Sequence, residues 1–176
     1  LPTALSSFDQ TQAVLRHAVG GAHTRVAQWG EFRLRPVVEH AIAAVTAQAR
    51  EKSILLQLDI DDAARLSGDE VLILRLLVNL LANAVAASPA GREVRIEASP
   101  AGEGFLAVRI LDEGPGMPAD AKAAPFPLPN GKATTAKVPG LGLAICHRIA
   151  RWHGGTLAFH IRPGGGTVAE ARLRTA

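Results

Sequence analysis

Residues 70–87 read Glu70-Val71-Leu72-Ile73-Leu74-Arg75-Leu76-Leu77-Val78-Asn79-Leu80-Leu81-Ala82-Asn83-Ala84-Val85-Ala86-Ala87. The stretch follows Gly68-Asp69 and runs into Ser88-Pro89-Ala90-Gly91, so a helix begins near Glu70 and stops where the proline cannot continue it. Apolar side chains lie nearly all round this helix, which requires other elements to cover most of its surface. Two amides interrupt that surface. Asn79 and Asn83 are spaced i,i+4 and project from one face, and an amide left buried and unpaired costs about 1–3 kcal/mol. Neighbouring backbone groups can serve as partners. So can a hard cation such as Mg²⁺, which takes a carboxamide oxygen and shares its shell with water and nucleotide phosphates. The pair by itself leaves both open.

Working outward, Val37, Val38, Ala41, Ile42, Val45 and Ala49 recur at helical spacing behind Pro36, with Glu39, His40, Gln48 and Arg50 offset, which predicts an amphipathic helix. Residues 54–60 have strand length and apolar character, and Asp61-Asp62 ends them. Beyond the central helix, residues 93–99 and 105–111 alternate in polarity around a loop at 100–104, as in an antiparallel hairpin. A third helix is expected over 141–152, stopped by Gly154-Gly155, and strands near 156–161 and 167–174 flank Gly164-Gly165-Gly166. This order predicts an α+β fold, a two-layer α/β sandwich with three helices on one face of a mixed, mainly antiparallel sheet.

Composition narrows the function classes. The chain has 176 residues, 48% of them hydrophobic, enough for one compact domain with a sizeable core and too apolar for disorder. Its net charge is +3 with no run of five like charges, so no nucleic acid is expected as a partner. No uninterrupted apolar run reaches the ~18 residues of a membrane span, so no membrane contact is expected of this fragment. Cys146 is the single cysteine and falls among Leu143, Ala144 and Ile149, which reads as a buried structural thiol. Without a partner cysteine or an N-terminal signal segment, a soluble, cytoplasmic chain is expected, and its start at Leu1 suggests a fragment.

Of the 17 glycines, 12 lie between Gly102 and Gly166, so the candidate chemistry concentrates there. Asp112 ends an apolar strand and opens Asp112-Glu113-Gly114-Pro115-Gly116-Met117, where two glycines allow a ligand to approach the backbone closely. A carboxylate so placed can accept from an amino group, or the segment can be a solvated turn. Residues 112–139 carry six prolines and three glycines, longer and more irregular than an ordinary connection. Gly140-Leu141-Gly142-Leu143 then leads straight into the third helix, as a phosphate-facing helix N-terminus or simply as a tight turn. A dinucleotide-binding reading of Gly114 to Ala119 fails because it contains Pro118 and no apolar helix follows immediately. There is no P-loop, and the short motifs of eukaryotic-type protein kinases are absent.

Taken in order, Asn79-Leu80-Leu81-Ala82-Asn83-Ala84 resembles an N box, Asp112 to Met117 a G1 box, Gly140 to Leu143 a G2 box, and Gly165-Gly166-Thr167 a final glycine-threonine element. Together they resemble the Bergerat-fold ATP-binding domain of the GHKL superfamily, which includes DNA gyrase B and Hsp90, and within it the catalytic domain of sensor histidine kinases. The resemblance spans about residues 33–176 and assigns 1–32 to a linker or the tail of an upstream dimerisation helix, with a lid at about 113–139.

The resemblance implies that Asn83 supplies an oxygen to Mg²⁺ on the ATP phosphates, with Asn79 supporting the metal or its waters, and that both are catalytic. It implies that Asp112 accepts from the adenine amino group and that Gly114 and Gly116 let the chain pass the purine. It places Thr167 near the adenine. It also implies that Gly140, Leu141, Gly142 and Leu143 shape the phosphate end, while Lys132 and Lys137 in the lid reach phosphates or remain solvated. Hydrolytic relatives carry a Glu where Asn79 stands, so phosphoryl transfer to a protein is expected over hydrolysis. This sequence departs from the pattern at Val138-Pro139, where a glycine is common, at Ala86 and Ala87, where a basic residue often stands, and around Phe126 in the lid.

None of His17, His23, His40, His147, His153 or His160 sits in a phosphoacceptor motif. The expectation is therefore a protein-histidine kinase catalytic domain of a two-component system that phosphorylates a histidine on a dimerisation domain outside this chain. It implies a response regulator as a further partner, and a homodimeric parent protein anchored at the cytoplasmic side of a membrane. The competing readings are a non-catalytic nucleotide-responsive interaction module and a hydrolytic ATPase of the same superfamily.

Overall fold

The computed structural model describes residues 28–116 and 141–176. Its elements, in order among these residues, are β1 (Trp29–Arg33), α1 (Leu34–Glu51), β2 (Leu55–Asp59), β3 (Arg65–Asp69), α2 (Glu70–Ala87), β4 (Glu93–Pro100), β5 (Phe105–Leu111), α3 (Leu141–Trp152), β6 (Thr156–Ile161) and β7 (Thr167–Arg174). Five strands form one sheet in the order β2-β4-β5-β7-β6, in which only β2 and β4 run parallel. The three helices cover one face, giving the expected two-layer sandwich.

Each helix end has a local cause. Asp69 caps α2, its Oδ1 accepting from the backbone N–H of Val71 at 3.0 Å and of Leu72 at 3.1 Å. The last turn of α2 has no basic residue of its own, and Lys52 supplies one from the end of α1: its Nζ donates to the carbonyls of Val85 and Ala86 at 2.9 and 2.8 Å. Just past the Lys52 cap of helix α1, Ser53 is a non-glycine residue held at φ 54°, with Ile54 N–H returning to the Ala49 carbonyl.

The apolar all-round character of α2 is explained by its position. It packs between α1 and α3 and over β5, burying Leu72, Ile73, Leu76, Leu77, Leu80, Leu81, Ala84 and Val85. By length and composition alone it could cross a membrane, and here it is the central helix of the core. Alternate residues of the sheet, among them Ile96, Val108, Ile110, Ala171 and Leu173, close that core from below. The opposite face is polar, with Arg109 donating to Glu170 at 2.6 Å and to Ser99 at 2.7 Å.

One part of the architecture departs from the sequence reading. Strand β1 pairs antiparallel with β3, Trp29 opposite Asp69 and Arg33 opposite Arg65, in a separate two-stranded sheet. The expected boundary after residue 32 therefore falls inside a strand, and the folded unit includes Trp29. Neither segment alternates in polarity, so neither announces itself as a strand; pairing and the seam with α3 hold them.

Candidate functional site

A cavity of about 210 Å³ opens between α2 and the sheet. Its polar lining comes from Asn83, Asp112 and Thr167, and its backbone lining from Gly116 and Gly142. Leu80, Ile110, Leu143, Phe159 and Ala169 are among its apolar walls. The fold thus gathers side chains from α2, the end of β5, the start of α3, and the β6–β7 hairpin around one apolar slot, the usual anatomy of a small-molecule site.

Asp112 is the most constrained polar group there. It is buried, yet its Oδ1 accepts from Gly114 N–H at 2.8 Å and Thr167 N–H at 3.0 Å. Its own N–H donates to the Thr167 carbonyl at 2.9 Å, and its carbonyl accepts from Arg162 Nη1 at 2.8 Å. Among the described residues Oδ2 has no protein donor, which leaves that oxygen to the cavity Asp112 lines. Two glycines make the wiring possible. A Cβ on Gly166, at φ +97°, would lie 2.1 Å from the Asp112 carbonyl oxygen, and one on Gly114 would lie 2.9 Å from the Ala87 carbonyl oxygen. Only glycine fits at either place.

On α2, Asn83 is exposed and lines the cavity. Asn79, one turn earlier, does not line it. Half-buried at the α2–α3 seam, its carboxamide lies near the start of α3, where a Cβ on Gly142 would be 3.9 Å from its Cγ, and the Cys146 thiol on α3 donates to the Leu76 carbonyl at 3.7 Å. The two amides are therefore placed differently: Asn79 lies at the α2–α3 seam and Asn83 is presented to the cavity. Helix α3 starts at Leu141, with Gly142 and Leu143 at the cavity wall. Lys132, Lys137, Gly140, Phe126, Val138 and Pro139 lie outside the described residues.

Three residues that the sequence did not single out belong to this picture. Phe159 contributes an aromatic wall, and its ring lies 5.9 Å from that of His147. Arg162 grips the Asp112 carbonyl. His153 is fully buried at the far end of α3, where Nδ1–H donates to the Ile149 carbonyl at 2.7 Å and Nε2 accepts from Asp69 N–H at 2.9 Å. That pair of bonds requires the neutral ring with its proton on Nδ1. The Trp29 ring stacks on it at 5.0 Å. Strand alternation would have flagged Phe159; nothing local flags Arg162 or His153.

Burial shapes the titration of these groups. It pushes the Cys146 thiol up to about 12, against the smaller opposing effects of the Asn79 hydrogen bond and the Arg75 charge, so Cys146 is an inert structural thiol. Burial lowers His153, outweighing the Ile149 carbonyl and the Asp69 charge. Burial and then the Arg151 charge lower His147.

Residues 68–176 match the family described as histidine kinase-, DNA gyrase B-, and HSP90-like ATPase. The C4-dicarboxylate transport sensor protein DctS of Rhodobacter capsulatus is 32% identical over 167 residues, 91% of this chain and 25% of that protein. Sensor protein KdpD of Escherichia coli is 40% identical over 107 residues, 60% of this chain and 12% of that protein. The chain thus spans a quarter or less of these two relatives. Among solved structures, full-length ShkA in complex with AMPPNP superposes with a TM-score of 0.71 at 27% identity, over 97% of this chain and 37% of that one. The catalytic domain of histidine kinase ThkA gives a TM-score of 0.72 at 24% identity, over 84% of this chain and 96% of that one. Because the match runs over residues 68–176, more than half of its length, the chain belongs to the histidine kinase-, DNA gyrase B-, and HSP90-like ATPase family.

Proposed function

We propose that this chain is the ATP-binding catalytic unit of a sensor histidine kinase, which transfers the γ-phosphoryl group of ATP to a histidine on a dimerisation domain outside this sequence, for onward passage to a response regulator. The observation that carries the reading is the half-spent carboxylate of Asp112. Two backbone N–H groups hold Oδ1, and Oδ2 is left to accept from the amino group of adenine in the apolar slot. Guanine presents an acceptor there, and two facing acceptors cost the full penalty of an unpaired buried group.

The residues fit a magnesium ion brought in by the nucleotide. Asn83 offers a hard carboxamide oxygen at the cavity, and no cluster of three or more His, Cys, Asp or Glu side chains occurs among the described residues to hold a metal without ligand phosphates. Bound there, Mg²⁺ would neutralise phosphate charge during transfer. Gly142 and Leu143, at the N-terminus of α3, would face the phosphates. Asn79 is a neutral amide that cannot take a proton from water, which favours transfer to a protein over hydrolysis. A homodimeric parent held on the cytoplasmic side of a membrane accords with this reading.

Titration with ATP, ADP and GTP, with and without Mg²⁺, tests the site: ATP should bind more tightly than GTP, and equal affinity would overturn the adenine assignment. Radiolabelled ATP supplied with the cognate acceptor domain tests the reaction. Labelled histidine is expected; binding without label would indicate a non-catalytic nucleotide-responsive module, and turnover without acceptor a hydrolytic ATPase.

A further inference from the structure

The β6–β7 hairpin carries a side chain that, among the described residues, holds the backbone of Asp112. Arg162 closes the turn through its own backbone, N–H to the Gly166 carbonyl and carbonyl from Gly165 N–H, both at 3.1 Å. Its half-buried guanidinium then crosses to the carbonyl of Asp112 at 2.8 Å. That carbonyl sits where a Cβ on Gly166 would be 2.1 Å away, so the hairpin and the Asp112–Glu113 peptide are in close contact. All other bonds recorded on Asp112 come from backbone N–H and carbonyl groups.

The Asp112–Glu113 peptide matters because it lies between the carboxylate and Gly114, whose N–H holds Oδ1. Turning that peptide moves the Gly114 donor, and with it the direction in which Oδ2 points. A backbone carbonyl without a partner in this site would turn toward one, and a cationic donor is the strongest neutral-acceptor partner that a side chain offers. Resting on the reading of Asp112 given above, we propose that Arg162 is a positioning residue for nucleobase selection: it locks the Asp112–Glu113 peptide so that Oδ2 meets the purine 6-amino group.

The test compares ATP with purine riboside triphosphate, which lacks the 6-amino group, by equilibrium binding to the full 176-residue chain. Wild type is expected to prefer ATP by roughly tenfold to a hundredfold, the range for one hydrogen bond to a charged group. Arg162→Ala is expected to lower that ratio about fivefold or more by weakening ATP alone, and Arg162→Lys, which still donates to the carbonyl, to recover most of it. Arg162→Met, which keeps the aliphatic stem and removes the donor, carries the same comparison if the alanine variant does not show a native thermal transition. A folded variant that keeps the wild-type ratio, or weakens both nucleotides equally, overturns the role of Arg162 and leaves the reading of Asp112 intact. A wild-type chain that binds both nucleotides equally overturns that reading and this proposal together.

Discussion

Asp112 and His153 are both buried polar side chains at the end of an element, yet they are finished differently. His153 spends both ring nitrogens inside the protein, on Asp69 N–H and the Ile149 carbonyl, and is sandwiched by Trp29. Asp112 spends one oxygen on two backbone donors and keeps the other for the cavity. The first arrangement joins α3 to the β1–β3 pair and leaves nothing for a ligand. The second leaves a buried charge with one acceptor unused, a state worth keeping only where something else completes it. On the proposed reading of Asp112, the contrast separates structural burial from functional burial within a single fold.

The most disruptive way to break the comparison is Gly166→Ala. The added Cβ would collide with the Asp112 carbonyl at a φ of +97°, and a loss of about 3–4 kcal/mol in denaturant unfolding is expected together with ATP binding. Next, His153→Ala strands Asp69 N–H and opens a void, costing about 3 kcal/mol in stability while leaving the preference for ATP over GTP unchanged. Lost selectivity in that variant would mean the two regions are not separable.

Asp112→Asn is the mirror image. Its carboxamide oxygen would keep the two backbone donors and turn its NH₂ toward the adenine amino group, so ATP affinity is expected to fall about a hundredfold, roughly 2.7 kcal/mol, with little change in melting temperature. A smaller effect sharpens the contrast by pH. Burial lowers His153, so the unfolded chain binds its proton more readily than the folded one. Stability should be complete above the unfolded value near 6.5 and fall as the pH drops below it, by at most about 1.4 kcal/mol per pH unit for this group. His147 adds to the same trend, and His153→Gln should flatten the profile without abolishing it. Smallest, and remote from both regions, Ser53→Gly relieves a left-handed residue and should raise stability by about 0.5–1 kcal/mol with ATP selectivity untouched.

Much of this was legible residue by residue. The central helix, its Asp69 cap and its proline stop follow from local preferences, and the five strands of the main sheet follow from alternation, strand-length apolar runs and glycine turns within single segments. Asn83, Asp112, Gly116, Gly142, Leu143 and Thr167 could be singled out because turn glycines and polar groups in apolar runs are conspicuous, and the fold brings them to one cavity. Asn79 was conspicuous for the same reason. Its place at the α2–α3 seam was not, because Gly142 lies on another helix.

The chain's periodicities and breakers by themselves determined the three helices, the five strands of the main sheet and the layer arrangement, since each depends on neighbours a few positions apart, while the resemblance of its motifs to a known family named the candidate site. Tertiary structure alone decided what depends on approach through space. Arg162 and Asp112 are 50 positions apart and His153 and Asp69 84 apart. The strands Trp29–Arg33 and Arg65–Asp69 are held by each other rather than by any pattern of their own. Hydrogen bonds between such partners form only after the core has brought their elements together, so no local preference records them.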